Sequence, residues 1–279
     1  MNIFHYIEVT VLRFTKKMKR DKVSSYAAET AFFTIMSFVP FAILLVTLIQ
    51  HTLLTPEILM NFLVGVLPAQ FYDLISGIVR DIYSRSVALM SGTIIAAVWS
   101  TSRAMLALTN GLNSVRDVKE NRNYFYMRLR AGICIVFLTI AVIIAMVLLL
   151  FGDTIQNMLI KYIPALGKLT AVIISFRAIL SLSILSVIFL AMYCVLPNCK
   201  MNPIRQIPGA MFSATGWAVL SYGFSIYFHY FSGNSIYGSL TTVVMMMLWL
   251  YFCMELLYVG AEVNCFLEYP DAFRAGEME

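Results

Sequence analysis

Long apolar segments alternate with short charged ones along this chain, and six of the apolar segments are long enough to cross a lipid bilayer as helices. A crossing helix needs about 20 mainly apolar residues. The pattern therefore predicts an all-α fold, a polytopic membrane protein with a single membrane domain over residues 1–279. The six predicted crossings cover residues 30–54, 87–109, 131–151, 171–196, 207–231 and 239–266.

Two further regions show helical apolar periodicity but are not predicted to cross. Within residues 1–29, apolar positions from Phe4 to Met18 recur every three or four residues, and basic side chains follow them. This is typical of a helix that lies on an anionic cytoplasmic membrane surface. Residues 55–86 predict two short amphipathic helices, broken at Pro68, that rest on the outer leaflet or cover the helix bundle on its outer side. A surface for a soluble partner is the alternative interpretation of residues 55–86.

Composition and charge placement agree with a membrane protein. Hydrophobic residues make up 60% of the chain and charged residues 13%, whereas soluble domains are about 25% charged. Lysine and arginine accumulate on the cytoplasmic side of membrane proteins. Fourteen of them lie in residues 1–29, in the loops 110–130 and 197–206 and in the C-terminal tail, against four in the opposite loops. With six crossings, this asymmetry predicts that both termini are cytoplasmic.

The last predicted crossing carries polar side chains on one helical face. Tyr251, Glu255, Tyr258 and Glu262 follow a 4-3-4 spacing, which keeps them on one side of a helix with about 3.6 residues per turn. A carboxylate that faces lipid is costly. We therefore expect this polar stripe to face protein or water.

Charges of both signs fall in the cytoplasmic half of the predicted crossings. Glu29 lies at the start of the first crossing. By helix rise, Arg103 lies about 9 Å from the cytoplasmic end of the second crossing, and Glu255 lies about 10 Å deeper than Glu262 on the last. Because arginine pairs well with carboxylates, we hypothesise that Arg103 meets Glu255 or Glu262.

Two interpretations of these charges stay open. They could lock helices together, with Arg103 extending to the membrane interface. They could instead line a cytoplasm-facing polar cavity, since intramembrane charges are often functional. Proton transfer through Glu255 is a special case of the second interpretation. Separately, Pro40 lacks a backbone N–H and predicts a kink in the first crossing.

The sequence lacks the patterns of several enzyme classes. It has no GxSxG or HExxH motif, no paired aspartates and no phosphate-binding glycine loop, and hydrolases need such groups. Its three histidines and five cysteines show no metal-ligand spacing. We predict no catalytic residues, no metal and no cofactor. An intramembrane enzyme that uses Glu255 as a base is the alternative.

The basic loop 110–130 also contains Tyr124, Phe125 and Tyr126. Basic and aromatic side chains together could bind nucleic acid. Cytoplasmic placement and contact with anionic phospholipids explain the loop more simply. We therefore expect the lipid bilayer as a partner and no nucleic acid, and the oligomeric state stays open.

Five segments carry a family resemblance. They are AAETAFFTIMSFVPFAILL at 27–45, WSTSRAMLAL at 99–108, LPNCKMNPIRQIPGA at 196–210, YGSLTTVVMMMLWLYF at 237–252 and GAEVN at 260–264. Together, and in this order, they resemble the YihY/BrkB family of bacterial inner-membrane proteins. The resemblance implies a multi-pass protein of the bacterial cytoplasmic membrane. It includes Arg103, Glu262 and Asn264, whereas Glu255 is outside the family pattern.

The resemblance also implies a role in the cell envelope. Members have been associated with virulence, serum resistance and envelope lipid handling. The family once carried the label ribonuclease BN, which we reject because this sequence offers no nuclease site.

We predict a transporter or translocation protein for a lipid or anionic substrate. Arg103 would bind an anionic head group, and Glu262 would orient Arg103 or the cavity wall. Glu29, Glu255, Tyr258 and Asn264 complete the candidate polar cavity. A non-transporting scaffold for envelope assembly is the alternative.

Overall fold

The computed structural model of the protein describes residues 3–38, 40–41, 55, 57, 60, 76–77, 79–80, 87–150, 170–231 and 238–269. These residues form seven long helices and no strand, so the predicted all-α class is confirmed for this part of the chain. The helices are α1 (Ile3–Arg20), α2 (Val23–Met36), α3 (Val87–Val115), α4 (Tyr124–Leu150), α5 (Thr170–Val195), α6 (Pro203–Phe231) and α7 (Gly238–Glu268).

A sharp backbone break separates α1 from α2. Lys22 has a φ of 55°, a left-handed conformation that ends a right-handed helix. Its N–H donates to the Lys19 carbonyl at 3.2 Å, and its own carbonyl accepts from the Tyr26 N–H at 3.0 Å. Because the break occupies so few residues, α2 begins at Val23, before the predicted start of the first crossing at residue 30.

Two stretches of the described residues are long and apolar enough to span a membrane, namely Tyr124–Ala141 in α4 and Val244–Glu268 in α7. A third stretch, Ile179–Val195 in α5, is apolar but shorter. These three overlap the predicted third, sixth and fourth crossings. An exposed apolar stripe on α4 follows the spacing of a lipid-facing surface, and it consists of Ile133, Phe137, Ile140 and Ile144.

Some predictions fall outside the described residues. They include most of the first crossing at 30–54 and most of the amphipathic segment at 55–86, with Pro68. The total of six crossings, the cytoplasmic termini and the single domain therefore stay predictions. Pro40 is described, half-buried and helical, but residue 39 and those after 41 are not. The predicted kink at Pro40 therefore stays a prediction as well.

The chain divides into two compact units, and divisions between them fall within α2, α3 and α5. The first comprises Met1–Phe33, Leu106–Asn123 and Leu185–Glu279. Its centre is the α6–α7 pair, whose backbones cross at Gly209 and Gly260. A Cβ on Gly260 would lie 2.6 Å from the Gly209 carbonyl oxygen, which is too close for any side chain. Glycine at both positions lets the two helices approach this closely.

An aromatic cluster joins α5, α6 and α7 in the first unit. The rings of Phe189 and Trp217 meet edge to face at 5.2 Å, and Trp217 also contacts Trp249 at 6.1 Å. The indole N–H of Trp217 donates to the Cys253 carbonyl at 2.6 Å. The buried Tyr193 hydroxyl bonds Ser213 and the Leu257 carbonyl, so the polar tips of these side chains are satisfied, as burial requires.

The second unit comprises Thr34–Met105 and Tyr124–Ile184. Among its described residues, α3 contacts the first turns of α4. There the guanidinium of Arg128 lies over the Trp99 ring, 4.5 Å from the centroid. Three turns further along α4, Thr139 donates to the Ile135 carbonyl in the same helix, which satisfies a buried hydroxyl without a partner helix.

Candidate functional site

Lys17, Asp21 and Glu262 form a buried ion cluster in the first unit. The Lys17 ammonium donates to Glu262 Oε2 at 2.8 Å, to the Val115 carbonyl at 2.9 Å and to Asp21 Oδ2. The three side chains are 5%, 0% and 6% exposed for Lys17, Glu262 and Asp21 respectively. All three donors of the ammonium are therefore used, and one cation bridges α1 to both α3 and α7.

Each contact of Lys17 has a local cause. Lys17 and Asp21 are four residues apart, a spacing that brings their side chains together on a helix surface. Val115 is the last residue of α3, where carbonyls lack helical partners and attract a cation. Burial lowers the pKa of Lys17, but the charge of Glu262 and the hydrogen bonds to Asp21 and Glu262 raise it above the ordinary lysine value. Lys17 is therefore charged at neutral pH.

The polar stripe of α7 is covered by the two N-terminal helices. Next to the Glu262–Lys17 contact, the Tyr258 hydroxyl bonds Thr30 at 2.6 Å, and Glu255 accepts from Ser24 at 2.8 Å. Tyr258 and Glu262 are fully buried, and Glu255 is half-buried. The stripe therefore contacts protein at Glu255, Tyr258 and Glu262.

Room for Tyr258 comes from a glycine on α3. A Cβ at Gly111 would lie 2.4 to 2.5 Å from the Tyr258 ring and hydroxyl. The phenol therefore occupies the space that any larger residue at position 111 would need. Glu29 is exposed on α2 and interacts electrostatically with Tyr258.

Asn264 holds the beginning of α6 against α7. Its Oδ1 accepts from the Gly209 N–H at 2.7 Å, and its Nδ2 donates to the Gln206 carbonyl at 3.2 Å. Together with Gly260 and Glu262, it accounts for the Gly-Ala-Glu-Val-Asn segment. Gly260 permits the helix crossing, Glu262 binds Lys17, and Asn264 satisfies two backbone groups.

A second polar network connects the loop segments of the first unit. Asn113 donates to Glu120 at 2.8 Å and accepts from the Asn198 N–H at 2.8 Å. Arg116 donates to Glu268 at 2.8 Å and to Gln206 at 2.7 Å. These contacts join the C-terminal end of α3 to the loop before α6 and to the end of α7.

A polar cleft of about 510 Å³ opens between α1, α2 and the end of α3, and Asp21 is shared between this cleft and the ion cluster. Arg20, Tyr26, Asn113 and Asp117 are among its lining residues. This cleft is not the predicted cavity, which stays a prediction. The predicted residues Glu29, Glu255, Tyr258, Glu262 and Asn264 belong to the same unit and are not in its lining.

Arg103 belongs to the second unit, where its side chain is exposed. It lies within electrostatic range of Arg128, which is 5% exposed. Among the described residues, no carboxylate pairs with either arginine. The glutamates of α7 belong to the other unit, so the predicted pairing of Arg103 with Glu255 or Glu262 stays a prediction.

Sequence reasoning missed Lys17, Asp21 and Arg128. Lys17 and Asp21 carry a weak signal, the four-residue spacing of opposite charges just before a helix break. Arg128 carries none, because it is one of several basic residues in a loop that the pattern assigns to the membrane surface.

Ion pairs and amide contacts occupy the buried polar positions between the described helices. The class of this protein, a helical membrane protein, follows from its helices together with its relatives. The sequence profile described as virulence factor BrkB matches residues 14–278, so the chain belongs to this family. The YihY/BrkB assignment made from the sequence is confirmed.

Several bacterial proteins are similar to this chain over most of their own length. The chain is 32% identical to the ribonuclease-like protein YfkH of Bacillus subtilis, covering 87% of this chain and 89% of that one. It is 22% identical to a UPF0761 membrane protein of Vibrio vulnificus, covering 94% and 83%. A UPF0761 membrane protein of Aliivibrio salmonicida is 26% identical, covering 92% and 82%. No solved structure matches the chain.

Proposed function

We propose that this protein is a multi-pass protein of the bacterial cytoplasmic membrane that translocates an anionic, lipid-type substrate of the cell envelope. The observation that carries this proposal is the exposed Arg103 on α3, within a predicted crossing. A charge at such a position is expensive unless it meets a partner or water. An anionic head group would supply that partner.

The chemistry of arginine supports an anionic substrate. Its guanidinium stays charged at all physiological pH values and binds carboxylate or phosphate oxygens through two parallel hydrogen bonds. Arg103 lies near a second arginine, and the described residues supply no carboxylate to compensate either charge. Two uncompensated cations favour an anion over a neutral or cationic substrate.

Apolar surfaces of the protein support a lipid-type substrate. The second unit has the exposed apolar stripe on α4. The first unit has an apolar groove of about 670 Å³ on α6, which Met211, Phe212 and Val219 help to line. Apolar surfaces of this kind can each hold acyl chains.

A non-transporting scaffold for envelope assembly is the alternative proposal. The observation that favours it is the buried ion cluster, which holds α1 and α2 firmly against α7. A scaffold would tolerate loss of Arg103 and would depend on the surface of α1.

Translocation can be tested with the purified protein in vesicles of phosphatidylethanolamine and phosphatidylglycerol. The measurement is the rate at which a fluorescent phosphatidylglycerol moves between leaflets. We expect Arg103→Ala to reduce this rate by about tenfold or more, since a charged hydrogen bond is worth about 1.5 to 3 kcal/mol.

Arg205→Ala is the matched control, because Arg205 on α6 is also an exposed arginine and its loss should leave the rate unchanged. Vesicles in which the wild-type protein moves no lipid would contradict translocation of this substrate. A wild-type rate that Arg103→Ala leaves intact would contradict the role of Arg103.

A further inference from the structure

We infer that Arg128, Trp99 and Arg103 form a binding site for a phosphate-bearing head group at the cytoplasmic boundary of the membrane. The site deepens the proposed function, on which its biological role rests, because it names the chemistry of the substrate.

Arg128 carries an unsatisfied hydrogen-bond donor. Arg128 is almost fully buried, yet its Nε has no hydrogen-bond partner among the described residues. Its Nη2 donates to the Trp99 carbonyl, which fixes the guanidinium in place. A buried charged donor without a partner is costly, so an acceptor from outside the described protein would remove this cost.

The guanidinium of Arg128 is held in a fixed orientation. The guanidinium of Arg128 is stacked on the Trp99 ring at 4.5 Å from the centroid. Stacking holds the planar fork by one face and leaves its edge for hydrogen bonds. The same Trp99 carbonyl also accepts from Ser102 at 2.8 Å, which stabilises the turn of α3 that carries Trp99.

Arg103 and Arg128 bring two positive charges close to each other. Arg103 lies one helical turn after Trp99 on α3 and repels Arg128 electrostatically. Like charges held together in a partly buried place are destabilising unless an anion lies between them. A phosphate group has enough oxygen acceptors to serve both guanidinium groups.

Exposed aromatic side chains around the site indicate its depth in the membrane. The first residues of α4 are exposed aromatic side chains, Tyr124, Phe125 and Tyr126, and Trp99 is itself 54% exposed. Tyrosine and tryptophan concentrate at the level of lipid head groups. The site therefore lies where the phosphate of a phospholipid would lie.

A direct test uses the intact protein labelled with 5-fluorotryptophan in nanodiscs. The chain has three tryptophans, and the two others belong to the aromatic cluster of the first unit. We expect phosphatidylglycerol, added to nanodiscs of a neutral lipid, to shift the fluorine resonance of Trp99 and to leave the other two unchanged.

Variants separate the site from general charge effects. Arg128→Lys keeps the charge but loses the planar fork, and we expect it to weaken the titration by about tenfold or more. Arg103→Gln should weaken it similarly. Arg130→Gln is the matched control, because it removes a positive charge two residues further along α4, on another face, and should leave the titration unchanged.

Inorganic phosphate distinguishes the two sources of the ligand. A shift of Trp99 with phosphatidylglycerol alone supports a lipid head group, and a shift with phosphate as well supports a site for phosphate in either form. A shift with phosphate alone assigns the site to a free phosphate. No shift with either probe, or equal loss in Arg130→Gln, overturns the inference. Binding without lipid translocation contradicts the proposed function and leaves this site in place.

Discussion

Lys17 and Glu262 are 245 residues apart in sequence and form an ion pair, with 2.8 Å between Lys17 Nζ and Glu262 Oε2. Both side chains are buried. Lys17 comes from an amphipathic helix that the sequence pattern assigns to the membrane surface. Glu262 comes from the most polar face of the last helix. Their contact means that α1 is an integral part of the first unit, held by charge as well as by apolar packing.

Lys17→Met should be more destabilising than Glu262→Gln. Removing the ammonium leaves Asp21 and Glu262 buried together without their shared cation, and such losses cost about 3 to 5 kcal/mol. Removing the Glu262 charge leaves Lys17 with Asp21, so we expect a cost of about 1 to 3 kcal/mol. The measurement is the free energy of unfolding of the purified protein in mixed micelles.

The double variant makes this comparison specific. Because Glu262→Gln removes one of the two stranded carboxylates, Lys17→Met with Glu262→Gln should be more stable than Lys17→Met alone. Glu255→Gln, on the same helix face but half-buried, is the control and should have a small effect. Additive losses in the double variant would contradict a shared ion cluster.

Gly260→Ala should disrupt the crossing of α6 and α7. The new methyl group would lie 2.0 Å from Ser213 Oγ and 2.6 Å from the Gly209 carbonyl, so the helices must separate. Overpacking of this kind costs about 1 to 3 kcal/mol. Gly223→Ala on α6 is the control, since no atom lies within 4 Å of its Cβ position. Thermal unfolding should distinguish the two, and an equal midpoint would argue against close helix contact.

Asn264→Ala should loosen the beginning of α6. It removes the acceptor of the Gly209 N–H and the donor to the Gln206 carbonyl. A buried polar group left unsatisfied costs about 1 to 3 kcal/mol. We expect faster hydrogen exchange in residues 204–210, measured by mass spectrometry, while exchange in α4 stays as in the wild type. Unchanged exchange near Gly209 would show that Asn264 does not hold this turn.

Acid should weaken the loop that contains Glu120. The hydrogen bond from Arg122 holds the pKa of Glu120 below its ordinary value of 4.5. A group with a lowered pKa in the folded state stabilises that state above the unfolded pKa, and the contribution disappears as pH falls through the folded pKa. The protection of residues 116–123 against hydrogen exchange, relative to the intrinsic exchange rate at each pH, should therefore fall below about pH 4.5.

Glu120→Gln is the test of this assignment. The glutamine cannot ionise, so its exchange in residues 116–123 should be fast already at neutral pH and should respond less to acid. A variant that retains the full acid response would show that another group is responsible.

Several features of this protein follow from its sequence. The apolar segments predicted helices that the structure confirms over α4 and α7, because about 20 apolar residues have few alternatives to a buried or membrane-spanning helix. The spacing of Tyr258 and Glu262 predicted a shared face, because helical geometry is local. The family assignment was also readable from the order of five short segments.

Which side chains contact each other between distant parts of the chain is decided only by the tertiary structure. Residues 1–29 contain six basic side chains, and nothing in their local pattern distinguishes Lys17 as the partner of Glu262. The same holds for Arg128, whose stacking on Trp99 depends on how α3 meets α4. Periodicity determines which face of a helix is polar, because it repeats every few residues. Which charge meets that face depends on helix packing between residues far apart in sequence, and that is where the ion cluster and the arginine site arise.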